Sequence, residues 1–225
     1  MSLAPPLLLA TAVALLTAAC ATEPATESEA SPVSVENGQQ AYDVVEGRIG
    51  YRRLPTPDVS ATELVDYATS AQGLPFVPVA DTGEILLVYF GYLSCPDVCP
   101  TTVADFGRAL DKLPGDLAQR VSFAMVSVDP ERDQGSEIVD YVTVFIDRGH
   151  GLLAADASGL AAATEAFGVR FEIEDHDSDH TEYEVGHSAT VFAVDEDGLI
   201  IWEFTYPSAS SDLADALVSL FEERY

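Results

Sequence analysis

Two cysteines four positions apart, in Cys95-Pro96-Asp97-Val98-Cys99-Pro100, are the residues of this chain best suited to chemistry. The thiolate is both the nucleophile and the metal-binding form of cysteine, so two exposed thiols this close can do one of two things. They can close a disulfide, as Cys-x-x-Cys motifs do, or they can chelate a soft metal ion. The spacing is one residue longer than in thioredoxin, and a proline and an aspartate lie between the cysteines. If Cys99 falls in the first turn of a helix, the two sulfurs lie near one another on one face, and the positive end of the helix favours thiolate. Two idle thiols at this distance would be unusual in an exported protein, where cysteines tend to oxidise.

The segments around the motif decide how it is presented. Before it, Ile85 to Phe90 is a continuous apolar run bounded by Gly83 and Gly91, the pattern of a strand buried on both faces. After it, Val103, Phe106, Leu110 and Leu113 recur at helical spacing, with Thr101 or Thr102 as a cap and Pro114-Gly115 as a stop. The cysteines thus lie at the carboxyl end of a strand, where α/β domains meet their ligands. Further along, Val121 to Val128 reads as a second buried strand. Ile138, Tyr141, Val142 and Phe145 form a helical stripe, and Leu160 to Phe167 forms another. Ala189 to Val194 and Leu199 to Phe204 read as a hairpin turning at Asp195-Glu196-Asp197-Gly198, and Leu213, Leu217, Leu220 and Phe221 close the chain with an amphipathic helix. This order predicts an α/β fold, thioredoxin-like, with a central mixed β-sheet flanked by helices over residues 80–225. Residues 42–79, broken by Pro55, Pro57, Pro75 and Pro78, read as an irregular N-terminal extension with a helical turn or two at Thr62 to Tyr67.

Three ordered blocks carry a resemblance. Phe90-Gly91-Tyr92-Leu93-Ser94-Cys95-Pro96-Asp97-Val98-Cys99-Pro100-Thr101-Thr102 resembles the signature of the Sco/SenC family, copper-binding assembly factors for cytochrome c oxidase with a thioredoxin-like fold. Val126-Ser127-Val128-Asp129-Pro130-Glu131-Arg132-Asp133 resembles that family's second strand and following loop. Val185-Gly186-His187-Ser188-Ala189 resembles its histidine block. The resemblance covers about residues 80–222 and implies a metal site made by Cys95, Cys99 and His187, the histidine delivered from a loop just before a strand. Two thiolates and an imidazole are soft enough for Cu(I) and acceptable to Cu(II). The implied function is a copper chaperone that delivers copper to the CuA centre of cytochrome c oxidase subunit II, or to other exported copper or thiol proteins. The alternative is a thiol-disulfide oxidoreductase that acts on the cysteines of the same subunit or of another exported protein, cycling Cys95 and Cys99 through a disulfide. His187 discriminates, because dithiol exchange does not need it. Gly186 stands where the family usually has Asp, which removes a carboxylate from beside the histidine.

The N-terminus supplies an address. Leu7 to Ala19 is apolar, too short to span a bilayer, and fits an export signal over residues 1–19. Leu16-Thr17-Ala18-Ala19-Cys20 resembles a lipobox, which makes Cys20 the site of lipid attachment, although Ala19-Cys20-Ala21 also suits an ordinary signal-peptidase cut. Residues 20–41, acidic and without a basic residue before the domain begins, read as a flexible tether. The expected location is the outer face of the cytoplasmic membrane, with the domain held near its surface by the lipid.

Charge narrows the partners. Ten Lys+Arg against 38 Asp+Glu give a formal net charge of -28, and Lys112 is the one lysine. So acidic a surface repels phosphate backbones, which argues against sequence-independent binding to DNA or RNA. His176 and His180 sit in Glu172-Ile173-Glu174-Asp175-His176-Asp177-Ser178-Asp179-His180-Thr181-Glu182, which reads as a solvated acidic loop rather than a cation site. Asp129 and Arg132 read as a pair that fixes the loop near the cysteines. The chain contains neither a nucleophile elbow nor a Walker A or dinucleotide glycine motif.

Overall fold

The computed structural model describes Met1, residues 41–175 and residues 183–225. The export signal, Cys20, the tether up to residue 40 and the pair His176 and His180 lie outside the described residues. Four short strands open the described chain: β1 (Ala41–Asp43), β2 (Arg52–Leu54), β3 (Leu64–Asp66) and β4 (Leu74–Phe76). The main units follow as β5 (Ile85–Gly91), α1 (Val98–Leu110), β6 (Val121–Ser127), α2 (Gly135–Thr143), β7 (Gly149–Leu153) and α3 (Ala157–Phe167). The chain closes with β8 (Phe171–Ile173), β9 (Val185–His187), β10 (Thr190–Val194), β11 (Ile200–Thr205) and α4 (Ser210–Arg224).

Seven of these strands form one mixed sheet in the order β11-β10-β5-β6-β7-β3-β4. Its centre, β5-β6-β7, is parallel, and β10 and β3 flank it antiparallel. Every residue of β5 and β6 is buried, which accounts for their unbroken apolar sequence. Neighbouring residues of β5 point to opposite faces: Tyr89 packs towards Phe123, which meets Phe106 of α1, whereas Phe90 packs on Phe167 of α3. Helices therefore cover both faces, and the fold is the expected thioredoxin-like α/β layout. The predicted hairpin is β10-β11, with Gly198 at φ 78° in its turn.

Three local expectations change. Thr62 to Tyr67 is not helical: Leu64–Asp66 pairs with β4 on one side and with β7 on the other, the latter through Val65↔Leu153 and Asp66↔Leu152. A helical turn that short is not stable alone, so sheet pairing prevails. Helix α1 starts at Val98, earlier than Thr101, and Asp97 occupies the cap without a side-chain hydrogen bond. Proline at position 100 is compatible with this because its missing N–H falls in the first turn. Strand β7, Gly149-His150-Gly151-Leu152-Leu153, carries little strand propensity and has no counterpart in the sequence reading. Its glycines let α2 lie close: a Cβ at Gly149 would stand 2.8 Å from Val142 Cγ1, and one at Gly151 2.6 Å from the Gly135 carbonyl oxygen.

Candidate metal centre

Cys95 lies in the turn after β5, its N–H donating to the Tyr92 carbonyl at 3.3 Å, and Cys99 lies one residue into α1. The chain reverses so tightly that the Cys99 N–H reaches the Cys95 sulfur at 3.4 Å. Cys95 is partly exposed and Cys99 is buried, and both are free thiols. His187 enters from elsewhere as the last residue of β9, whose partner is β8 through Phe171↔His187, rather than from a loop before a strand. The short β8-β9 ribbon delivers its ring: Nε2 stands 3.3 Å from Cys99 Sγ. One donor atom from each of Cys95, Cys99 and His187 lies within 4.8 Å of the other two.

The ring's orientation follows from its second nitrogen. Nδ1 lies 3.1 Å from the Ser188 carbonyl oxygen, which can only accept, so Nδ1 carries a proton and Nε2 is the ring nitrogen turned to the sulfurs. Tyr89 and Tyr92 hold the ring edge-on, with centroids 5.9 and 5.8 Å from it. The Tyr89 hydroxyl lies 3.3 Å from Cys99 Sγ, a buried donor aimed at sulfur. Gly91 makes room for this arrangement, since a Cβ there would stand 3.0 Å from Cys99 Sγ.

The two sulfurs divide their charge unequally. A hydrogen bond from the Cys99 thiol, with help from His187 and from the Cys99 and Asp97 N–H groups, holds the Cys95 thiol down at about 3 despite partial burial. The same bond, in which Cys99 is the donor, pushes the Cys99 thiol up, and burial adds to it. Cys95 is thus the resident thiolate and Cys99 its proton-bearing partner. Burial raises the Tyr89 phenol well above its ordinary range, so it remains a donor. The site opens into a cleft of about 480 Å³ lined by Cys95, Pro96, Val98, Tyr183, Gly186 and His187. Two sulfurs and an imidazole nitrogen, partly screened from water, fit a soft monovalent or borderline divalent cation better than a hard one.

Behind the site, Asp129 and Arg132 pair as expected, with Asp129 fully buried. The sequence reading missed Tyr183, whose hydroxyl donates to Asp129 Oδ1 at 2.6 Å, and Asp133, which accepts the Ser127 hydroxyl at 2.6 Å. Burial, with Asp129 nearby, pushes the Asp133 carboxyl up to about 6. Tyr183 precedes the histidine block by two residues and carries no motif of its own. Among the described residues, Gly186 has nothing nearer its Cβ position than the Glu172 carbonyl oxygen at 4.0 Å.

Comparison with known proteins places these motifs in a wider group. Residues 67–222 match the family model described as SCO1/SenC. Protein sco1 of Schizosaccharomyces pombe is 29% identical over 143 residues, covering 63% of this chain and 54% of that protein. A putative copper-binding protein of Stutzerimonas stutzeri is 27% identical over 125 residues, covering 55% of this chain and 59% of that protein. The chain thus spans little more than half the length of these curated relatives. Among solved structures, apo Sco1 of Thermus thermophilus is 31% identical with a TM-score of 0.64, covering 76% of this chain and 95% of that one. ScoI of Bradyrhizobium japonicum with copper bound is 26% identical with a TM-score of 0.58, covering 76% and 98%.

Proposed function

This chain belongs to the SCO1/SenC family, and from that premise we propose that it is a copper chaperone that takes one copper ion as cargo on Cys95, Cys99 and His187. The observation that carries the reading is the convergence of three donor atoms from separate elements within 4.8 Å, with the histidine Nε2 turned to the sulfurs. Cys95 supplies a ready thiolate, and Cys99 loses its proton on binding. The open cleft leaves one side for an incoming donor, so transfer proceeds by exchange of ligands. The recipient is the CuA centre of cytochrome c oxidase subunit II, or another exported copper protein. A lipid on Cys20 and the following tether hold the domain at the outer face of the cytoplasmic membrane, where such a recipient projects. Gly186 leaves the histidine without a neighbouring carboxylate at that position, so its orientation relies on the Ser188 carbonyl and the tyrosine rings.

The unequal pair of thiols supports a second reading, a thiol-disulfide oxidoreductase. The Cys95 thiolate attacks a partner disulfide, forming a mixed disulfide and releasing one partner thiol. Cys99 then attacks Cys95, releasing the second thiol and leaving a Cys95–Cys99 disulfide, so the partner gains the two electrons this chain loses. Anaerobic copper titration of the reduced protein beside His187→Ala separates the two. The chaperone reading expects stoichiometric binding to the wild type and, in the variant, a fall in affinity at least as large as the ~10–100-fold that loss of a supporting contact alone costs. Unchanged affinity and spectrum in His187→Ala refute the three-ligand site. Failure of the wild type to bind copper, together with reduction of an oxidised copper-site peptide, establishes the oxidoreductase instead.

A further inference from the structure

The loop that follows β6 touches both arms of the site without supplying a donor atom. On the cysteine side, the Asp133 carboxylate accepts the Leu93 N–H at 3.2 and 3.3 Å, two residues before Cys95, and the Ser127 hydroxyl bonds both this carboxylate and the Asp129 N–H. On the histidine side, Asp129 accepts the Tyr183 hydroxyl at 2.6 Å, and Arg132 Nη1 donates to the Tyr183 carbonyl at 3.1 Å. The Arg132 guanidinium lies 3.5 Å from the Tyr183 ring centroid and 5.8 Å from that of Tyr92, whose edge meets His187. Asp129 and Asp133 are 0% and 4% exposed. Two buried carboxylates cost much desolvation and are retained only where their hydrogen bonds repay it. A surface loop needs neither, so the network calls for a purpose beyond closing a turn.

We propose that Asp129, Arg132, Asp133 and Tyr183 form a two-armed clamp that sets the separation of the cysteine turn from the histidine strand. This rests on the reading that Cys95, Cys99 and His187 hold copper. They are positioning residues: Asp133 anchors the strand end that leads to Cys95, while Asp129 and Arg132 anchor Tyr183 and so the start of β9. Among the described residues the ribbon β8-β9 pairs at three positions, with one further backbone bond at each end, Glu174 N–H to the Glu184 carbonyl and Ser188 N–H to the Arg170 carbonyl, both at 3.0 Å. So short a two-stranded ribbon is marginal by itself at fixing its angle against the main sheet. The clamp supplies the missing constraint, holding Nε2 over the sulfurs before metal arrives, so that no reorganisation is required on binding.

The test compares wild type with Tyr183→Phe, which deletes the hydroxyl's bond to Asp129 and keeps the ring, and with the double variant Asp129→Asn/Arg132→Gln, which removes both charges of this pair together. Circular dichroism establishes that each is folded. In the metal-free protein, the His187 ring resonances are expected to shift in Tyr183→Phe and to broaden in the double variant. In the copper titration, Cu(I) binding by the two cysteines persists, whereas Cu(II) affinity falls about 10–100-fold in the double variant, and the nitrogen hyperfine in its Cu(II) spectrum weakens. Unchanged ring resonances and an unchanged Cu(II) spectrum in both folded variants overturn the clamp while leaving the copper reading intact. If the wild type binds no copper, the copper reading fails, and the ring resonances alone still decide whether these residues position His187.

Discussion

Gly91→Ala tests how tightly the donor set is packed. The added Cβ would stand 2.8 Å from Tyr89 Cε1, 3.0 Å from Cys99 Sγ and 3.1 Å from Met125 Cε. Ordinary contacts between carbons fall at about 3.5–4.0 Å, so each neighbour must retreat by roughly half an ångström or more. All three are 0% exposed, and only the methionine has a flexible end to move. Overpacking of a core costs about 1–3 kcal/mol, and three simultaneous contacts put this site near the top of that range. Replacing glycine recovers about 0.5–1 kcal/mol of chain entropy, leaving a net destabilisation of about 2 kcal/mol. The same retreat carries Cys99 Sγ away from its 3.3 Å contacts with Tyr89 and His187, so copper affinity should fall about tenfold, the lower end of the effect of disturbing a ligand's supports. The assays are urea unfolding of the reduced, metal-free protein and competition titration with Cu(I). Gly186→Ala is the control: among the described residues its Cβ meets nothing closer than 4.0 Å, and its stability should stay within about 0.5 kcal/mol of wild type. If Gly91→Ala matches that control in stability and the wild type in copper affinity, the packing argument is wrong.

Alkylation by iodoacetamide, mapped by mass spectrometry on the reduced protein, should modify Cys95 ahead of buried Cys99. Because the Cys95 thiol is held down at about 3, its rate should stay nearly flat from pH 8 to pH 5, whereas an ordinary thiol of pKa ~8.5 would slow several-hundred-fold; a steep fall would show that Cys95 is not the resident thiolate. Away from the site, Arg53 pairs with Glu203 and donates to the Phe167 carbonyl at 2.7 Å, the side chains of the pair being 14% and 4% exposed. Arg53→Ala leaves a buried carboxylate without its cation and should cost about 3 kcal/mol in thermal or urea unfolding, partly recovered by adding Glu203→Gln. A loss below about 0.5 kcal/mol, the level of an ordinary surface substitution, would mean that water reaches Glu203.

Much of the fold was legible because it rests on local pattern. The apolar runs of β5 and β6 are buried along their whole length, and the stripe from Val103 to Leu110 is the buried face of α1. Strand β7 was illegible because its glycines answer to α2 rather than to strand propensity. Leu64–Asp66 was misread because three residues become a strand only when β4 and β7 offer their edges. At the site, the cysteine turn could be read from four-residue spacing, but Tyr183 could not, since its role depends on Asp129, 54 positions away.

What the sequence determined by itself was the chemistry on offer: two thiols at a strand-to-helix junction, and a histidine whose flanking block resembles that of a copper-binding family. Spacing alone left disulfide exchange and metal binding equally open. Only the tertiary structure decided that Nε2 of a residue 88 positions beyond Cys99 comes to 3.3 Å from its sulfur, with Nδ1 on the Ser188 carbonyl. It also decided which of two chemically identical thiols is the anion. The reason is physical: side-chain identity is local, whereas distance, burial and protonation depend on where distant segments pack, and here a short ribbon, two tyrosine rings and a buried ionic loop set all three.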